Sequence, residues 1–212
     1  MTQQASKKFG DFTVREAVFV KAAVNLKGLP AERLPQVAFL GRSNVGKSSL
    51  LNALMGQKKL VKTSSSPGKT REINFFKVNG AFFLVDLPGV GFAKVSNAKR
   101  DEMASFIREY VEKCEDLRGV VYLVDIRHGG LPIDIETVES IRETGCPVLV
   151  VASKRDKVNQ SELAKNLKLI QERLSLPEKP LCVSAVKQFG LETLWQDILQ
   201  AINGTNIVDG NE

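Results

Sequence analysis

The stretch that decides the fold is GRSNVGKS at residues 41–48, which directly follows a short apolar run at residues 37–40. It matches the spacing G-x-x-x-x-G-K-[ST] in the strand–loop–helix context of a phosphate-binding loop. Its glycines let backbone N–H groups turn toward a phosphate, and the positive end of the following helix faces the same anion. Lys47 is placed to reach the β- and γ-phosphates, and the Ser48 hydroxyl suits Mg²⁺.

Short apolar runs alternate with helical periodicity on both sides of this loop. Candidate strands lie at residues 37–40, 73–78, 82–86, 120–125, 148–152 and 181–184. Four of them are almost continuously apolar, which is typical of strands covered on both faces of a parallel sheet. The dipeptide Asn79-Gly80 between the second and third runs is a strong hairpin signal. The pattern predicts an α/β, three-layer domain with a mostly parallel central sheet and one antiparallel edge strand.

Composition and charge narrow the class of protein further. The chain has 212 residues, of which 43% are hydrophobic and 25% charged, and its net charge of +6 favours an anionic partner such as nucleotide, nucleic acid or membrane. Residues 36–80 hold eight basic side chains and one acidic side chain, a local excess of +7. No apolar run approaches the roughly 18 residues of a membrane span. Three widely spaced cysteines fit a reducing compartment, so we expect a cytoplasmic protein.

We expect three segments along the chain. Residues 1–35 form an N-terminal extension packed on the domain, residues 36–204 form the domain itself, and residues 205–212 form a disordered tail.

A second candidate phosphate and metal motif follows the apolar run at residues 82–86. It consists of Asp86, Leu87, Pro88 and Gly89. An aspartate at the carboxyl end of a buried strand can hold Mg²⁺ through water, and the Gly89 N–H can approach a γ-phosphate. The motif alone is usually only a turn, but it gains weight from its position after a phosphate-binding loop.

A third motif, after the run at residues 148–152, concerns the base of a nucleotide. It consists of Ser153, Lys154, Arg155 and Asp156. A carboxylate at Asp156 can accept hydrogen bonds from guanine N1–H and the exocyclic amino group, whereas adenine would leave it unpaired. The stem of Lys154 can lie over the base. Where the last candidate strand ends, backbone N–H groups at Ser184 and Ala185 can meet the guanine carbonyl oxygen. An exposed turn at the start of a helix is the alternative interpretation of residues 153–156, and the signal at Ser184 and Ala185 is weak when taken alone.

These motifs resemble those of the translation-factor-related GTPases from about residue 36 to residue 204. Within that class they are similar to the EngB family of the TrmE-Era-EngA-EngB-Septin-like GTPases. The similarity rests on GRSNVGKSSLLNAL at 41–54, SSSPGKTREINFF at 64–76, DLPGVGFA at 86–93 and VDIRHG at 124–129. The resemblance implies a Ras-like P-loop fold, GTP and GDP as ligands, Mg²⁺, and GTP hydrolysis. It also implies action in assembly of the large ribosomal subunit and a need for the protein in normal cell division and septation.

The resemblance also assigns residues to the nucleotide site. It implies that Thr70 contacts Mg²⁺ in the triphosphate state, together with Ser48 and Asp86, and that Lys47, Asn44, Thr70 and Gly89 serve catalysis. The full set of predicted nucleotide contacts is Gly41, Arg42, Ser43, Asn44, Val45, Gly46, Lys47, Ser48, Gly68, Lys69, Thr70, Arg71, Glu72, Asp86, Leu87, Pro88, Gly89, Ser153, Lys154, Arg155, Asp156, Val183, Ser184 and Ala185.

The sequence departs from the expected pattern at two positions that bear on activity. Ser153 stands where such a motif more often carries Asn or Thr, although a hydroxyl can still bridge. Val90 stands where Ras-like switches place a water-orienting Gln, so we expect slow intrinsic hydrolysis. We hypothesise that K⁺ held by Asn44, or a group from the ribosome, completes the site.

Three functions stay open at this point. The first is a monomeric GTPase switch that binds the large ribosomal subunit or its precursor, through rRNA and ribosomal proteins, with no membrane partner. The second is a nucleotide-gated protein-interaction module for cell division with incidental hydrolysis. The third is a P-loop kinase or ATPase, which the motif at residues 153–156 disfavours.

Overall fold

The computed structural model describes residues 6–61, 72–91 and 97–204. In these ranges the strands are β1 Lys7–Phe9, β2 Phe12–Val14, β3 Ala17–Ala23, β4 Gln36–Gly41, β5 Ile73–Val78, β6 Phe82–Asp86, β7 Leu117–Asp125, β8 Val148–Ser153 and β9 Leu181–Cys182. The helices are α1 Lys47–Leu54, α2 Asn97–Lys113, α3 Pro132–Arg142, α4 Gln160–Arg173 and α5 Leu191–Ile202. None of the helices in the described ranges combines the length and apolar character that crossing a membrane requires.

Within the described ranges, seven strands form one sheet in the order β3-β5-β6-β4-β7-β8-β9. The neighbours from β6 to β9 pair in parallel, whereas β5 is antiparallel to both β6 and β3. Asn79 and Gly80 turn with positive φ between β5 and β6, so the hairpin and the mostly parallel sheet are confirmed. One detail of the prediction needs correction: the antiparallel strand is not at the edge, because β3 covers its far side.

The two faces of the sheet carry separate apolar cores. Alternation along β4 sends Val37 and Phe39 to the core under α1 and α5, and Ala38 and Leu40 to the core under α2, α3 and α4. This is the predicted three-layer arrangement, in which each face of a buried parallel strand needs its own cover.

The N-terminal residues pack on the first of these cores. Phe9 and Phe12 of the β1–β2 hairpin lie 6.0 and 4.7 Å from the ring of Trp195, measured between ring centroids. The indole N–H of Trp195, which is fully buried, donates to the Leu54 carbonyl at 3.3 Å. The hairpin therefore covers the end of α1 that is opposite to the phosphate-binding loop.

Because β4, β6, β7, β8 and β9 are parallel, the segments that follow them emerge at the same edge of the sheet. This edge is the usual ligand-binding position in open α/β sheets. It holds the three motifs predicted from the sequence.

Candidate nucleotide site

The phosphate-binding loop is the tight connection between β4 and α1. An added Cβ at Gly41 would lie 2.7 Å from the Leu123 carbonyl oxygen, so the close approach of β7 requires glycine there. Gly46 has φ 103° directly before α1, which L side chains rarely adopt. Asn44 is also left-handed, with φ 63°, and its side chain is exposed. The loop thus bends sharply just before the positive end of α1.

The Ser43 hydroxyl within this loop gives one test of whether a polar ligand fits. Within the described residues it is the one buried side-chain polar atom that has no hydrogen-bond partner. Buried hydroxyls are normally bonded, because an unsatisfied polar group is costly. A phosphate oxygen is a ligand group that would satisfy it.

Lys47 and Asp86 bring the ammonium and the carboxylate of two predicted motifs together. They form a largely buried ion pair, and the Lys47 ammonium also donates to the Leu87 carbonyl at 2.6 Å. Ser48 lies one residue further along α1. Hydroxyl and carboxylate oxygens are the donors that Mg²⁺ takes, usually with phosphate and water in the other positions. Across residues 6–61, 72–91 and 97–204 no group of three or more His, Cys, Asp or Glu could hold a metal by itself.

The segment after Asp86 lies directly on the phosphate-binding loop. Val90 N–H donates to the Gly41 carbonyl at 3.1 Å, and Ser43 N–H donates to the Val90 carbonyl at 3.3 Å. An added Cβ at Gly89 would come within 3.3 Å of the Gly41 carbonyl oxygen. Leu87 and Pro88, which precede this contact in the chain, are buried. The two phosphate motifs are therefore held together by backbone hydrogen bonds, and Val90 presents an aliphatic side chain there.

Ser153 connects the third motif to the phosphate-binding loop. Its buried hydroxyl donates its single hydrogen to the Val45 carbonyl at 2.7 Å, and the Val124 carbonyl oxygen lies 3.2 Å from the same Oγ atom. The hydroxyl therefore bridges β8 to both neighbouring segments. Lys154 follows in a left-handed conformation with φ 61°, and its ammonium donates to the Asn44 carbonyl at 2.5 Å.

Asp156 is held by the last predicted segment. The Ser184 hydroxyl donates to Asp156 Oδ1 at 2.6 Å, and this hydrogen bond is the main reason that the pKa of Asp156 is lowered. Arg155 N–H donates to the Val183 carbonyl at 3.0 Å, which aligns the two segments. A carboxylate that stays ionised at neutral pH is suited to accept two N–H donors from one edge of a guanine base.

Two predictions for this region change. The Ser184 backbone N–H, which we expected to face a base oxygen, donates instead to the Phe189 carbonyl at 3.0 Å, because the chain closes a tight turn there. Ala185 is then the candidate donor. The Arg155 side chain, included among the nucleotide contacts, donates to the Val158 carbonyl and to the Gln160 side chain.

Several predicted contacts fall on or beside the gap before β5. Gly68, Lys69, Thr70 and Arg71 lie outside the described residues, and Glu72 is exposed directly before β5. The sequence did not single out Asp125, although the structure places this buried carboxylate at the same edge, in contact with Lys154. Its position at the end of an apolar strand was the available signal, as for Asp86.

Comparisons with known proteins agree with this geometry. The family model described as 50S ribosome-binding GTPase matches residues 36–154. A probable GTP-binding protein EngB from Pelotomaculum thermopropionicum is 48% identical over 166 residues, covering 78% of this chain and 84% of the relative. A probable GTP-binding protein EngB from Clostridioides difficile is 38% identical over 192 residues, covering 90% and 95%.

Solved structures give the same picture of the fold. A crystal structure of a probable GTP-binding protein engB superposes with a TM-score of 0.67 at 26% identity, covering 80% of this chain and 99% of that one. Era in complex with MgGDPNP and part of 16S ribosomal RNA has a TM-score of 0.62 at 24% identity, covering 79% of this chain and 56% of that one.

Proposed function

Since this chain belongs to the EngB family of GTP-binding proteins, within the 50S ribosome-binding GTPases, we propose that it is a Mg²⁺-dependent GTPase switch. Its role is in assembly of the large ribosomal subunit, and normal septation depends on it. It acts in the cytoplasm as a monomer. The observation that carries the proposal is the meeting of phosphate and base motifs at one sheet edge, with Lys47 and Asp86 on one side and Asp156 on the other.

Different groups of the site contact different parts of the nucleotide. The backbone N–H groups around Gly46 and the Lys47 ammonium bind the phosphates, and Lys47 exchanges its contacts with Asp86 and the Leu87 carbonyl for phosphate oxygens. Ser48 and Asp86 would hold Mg²⁺, which neutralises charge between the β- and γ-phosphates when bound. Thr70 completes this set by resemblance.

Hydrolysis by the isolated chain is slow in this proposal. Val90 has no hydrogen-bonding group that could orient an attacking water, and it follows the glycine whose N–H approaches the γ-phosphate. Asn44, exposed on the phosphate-binding loop, holds K⁺ or meets a group from the ribosome that supplies the missing stabilisation. Equal turnover in Na⁺ and K⁺, with and without large subunits, would refute this part of the mechanism.

Replacing Asp156 by Asn tests the assignment of the base. The variant should lose roughly a hundredfold or more in GTP affinity, because two hydrogen bonds to a charged acceptor are lost. It should prefer xanthosine triphosphate, whose base presents a carbonyl to the new amide. Asp101→Asn on the exposed surface of α2 is the matched control and should bind like the wild-type chain. An unchanged preference for GTP removes Asp156 from this role, and tighter binding of ATP than GTP would favour the kinase or ATPase alternative.

A basic surface near the end of α1 supports the ribosomal partner. Lys58 and Lys59 are exposed, and the Lys7 ammonium donates to the Ala53 carbonyl at 3.1 Å, so β1 brings a third lysine to the same end. An added Cβ at Gly56 would lie 2.9 Å from Lys7 Cβ, which shows how closely the two segments approach. Clustered lysines of this kind bind RNA phosphates with a strong dependence on salt.

Charge reversal tests this surface. Lys58→Glu with Lys59→Glu should weaken GTP-dependent co-sedimentation with large subunits and flatten its salt dependence, while GTP affinity stays unchanged. The matched control is Lys165→Glu with Lys179→Glu, two exposed lysines on and beyond α4. Binding to division proteins that ignores salt and RNA would favour the protein-interaction module.

A further inference from the structure

Asp125, at the carboxyl end of β7, is a buried carboxylate with an unusually complete set of donors. It accepts hydrogen bonds from Arg127 N at 3.1 Å, Arg127 Nε at 2.9 Å and Arg127 Nη2 at 2.7 Å. The Lys154 ammonium lies 2.9 Å from Oδ2, the oxygen that also accepts from Arg127 Nη2, whereas Arg127 N and Nε donate to Oδ1. Burial alone would raise the pKa of Asp125, but the hydrogen bonds from Arg127 and Lys154 outweigh it and hold the pKa well below the usual range.

Lys154 connects this carboxylate to the phosphate-binding loop. The same ammonium that contacts Asp125 also donates to the Asn44 carbonyl at 2.5 Å. Its Cε lies 3.8 Å from the place where a Cβ at Gly46 would stand, so the stem runs along the start of α1. A chain of polar contacts therefore runs from β7 through β8 to the loop, beside the segment that carries Asp156.

Arg127 by itself would satisfy a surface aspartate, since the two residues are close in sequence and form a two-pronged ion pair. Asp125 however is only 7% exposed, while Arg127 keeps 43% of its side chain exposed. The carboxylate thus faces inward to Lys154, and Arg127 covers it from outside. A lysine held in this way has lost its side-chain freedom before any ligand binds, which removes that entropy cost from ligand binding.

We propose that Asp125 is a positioning residue of the nucleotide site, which fixes the Lys154 ammonium on the Asn44 carbonyl and is itself oriented by Arg127. This inference rests on the proposed function, because it takes the Lys154 stem to lie over the guanine base, as the sequence motif predicts. Asp125 touches neither base nor phosphate. It acts on nucleotide retention through Lys154, in both the diphosphate and triphosphate states.

The test measures dissociation of a fluorescent GDP analogue from the full-length chain, together with the thermal unfolding temperature. Asp125→Asn should release the analogue about tenfold faster, because a charge-assisted contact that orders Lys154 is lost. Lys154→Met should have a similar or larger effect. The double variant should release no faster than Lys154→Met alone, because both changes break the same contact.

Asp134→Asn is the matched control for loss of a buried carboxylate. Asp134 accepts hydrogen bonds from the Tyr122 hydroxyl at 2.9 Å and from Leu131 N at 2.8 Å, at the start of α3. This control should lower the unfolding temperature and leave GDP release within about twofold of the wild-type rate, as expected of a purely structural carboxylate.

Two results would overturn the proposal. One is an Asp125→Asn protein that unfolds at lower temperature but releases GDP at the wild-type rate. The other is a double variant in which the two effects multiply, which would make Asp125 independent of Lys154. If Asp125→Asn does not fold, Arg127→Ala decides: faster release supports the proposal, and an unchanged rate overturns it. A wild-type chain that binds no guanine nucleotide would instead refute the proposed function.

Discussion

Replacing Ser153 by Ala removes a single hydroxyl that connects the base motif to the phosphate-binding loop. The hydroxyl is buried and donates its single hydrogen to the Val45 carbonyl at 2.7 Å, with the Val124 carbonyl oxygen 3.2 Å from the same Oγ atom. The shorter contact is the important one for function, because Val45 lies inside the loop, between Asn44 and Gly46. The change therefore perturbs both the folded state and the geometry of the site.

The expected destabilisation follows from these contacts. Alanine leaves a buried carbonyl without its donor, which costs about 1–3 kcal/mol, and the weaker second contact adds little. We therefore expect the free energy of unfolding to fall by about 2 kcal/mol, or a few degrees in unfolding temperature for a chain of this size. GDP should also dissociate several-fold faster, because Val45 is no longer tied to β8.

Urea unfolding and fluorescent-GDP release measure the two effects on the same preparations. Ser153→Thr keeps the hydroxyl and should retain most of the stability, and Ser161→Ala, on the exposed start of α4, controls for loss of a serine hydroxyl. Substitutions on the surface usually change the free energy of unfolding by no more than about 0.5 kcal/mol. If the free energy of unfolding of Ser153→Ala differs from that of the wild-type chain by no more than this, the Ser153 hydroxyl does not stabilise the contact between β8 and the phosphate-binding loop.

Three further predictions concern other parts of the chain. Because the pKa of Asp125 is depressed in the folded state, its stabilisation is complete above its unfolded pKa and is lost as pH falls through its folded pKa. The stability advantage of wild type over Asp125→Asn, measured by urea unfolding, should therefore be constant above about pH 5 and shrink progressively as pH falls to about pH 3 and below. Burial raises the pKa of Cys146 to about 11. Its alkylation near pH 8 should thus be about a hundredfold slower than that of a free thiol, and equal rates in mass-spectrometric labelling would contradict this. Asn79→Gly keeps a residue that tolerates φ 50°, but it removes the hydrogen bond from Arg15 N–H to Asn79 Oδ1 and the one from Asn79 Nδ2 to the Thr13 carbonyl. The free energy of unfolding should therefore fall by about 1–3 kcal/mol. An unchanged urea midpoint would show that these hydrogen bonds do not stabilise the fold.

The sheet could be predicted largely from local patterns. Continuous apolar runs and the Asn79-Gly80 turn specify buried strands and a hairpin without reference to distant residues, and these elements are present as β4 to β9. The sequence did not predict the three N-terminal strands. Strands β1 and β2 have only three residues each, and β3 exposes Phe19 and Val20 at the sheet edge, so none of the three has the apolar pattern of a buried strand. Their pairing depends on the surface that the rest of the fold offers, such as the ring of Trp195.

The approach of the motifs to one another could be predicted from the sequence, because their positions after parallel strands determine where they lie in the fold. Parallel strands bring their carboxyl ends to one edge, so Asp86 and Asp156 had to approach the phosphate-binding loop once the fold was known. The partners of individual side chains were not predictable in this way. Lys154 has a left-handed backbone and contacts Asp125, which its motif does not specify, and the Ser184 N–H donates to the Phe189 carbonyl in a turn that no motif specifies.

The basic side chains of residues 36–80 lie in different environments, which the structure shows and the sequence alone does not. Lys47 is balanced by a carboxylate inside the site, and Lys77 by Glu32 at 2.8 Å on the surface. Lys58 and Lys59 are exposed just beyond α1, and Lys62, Lys69 and Arg71 lie outside the described residues. A nucleotide takes the charge of Lys47, but one small ligand in a buried site cannot also engage lysines at the opposite end of the helix. Under the proposed function these lysines are left for a second, much larger polyanion, so nucleotide affinity and ribosome affinity should be separable by mutation.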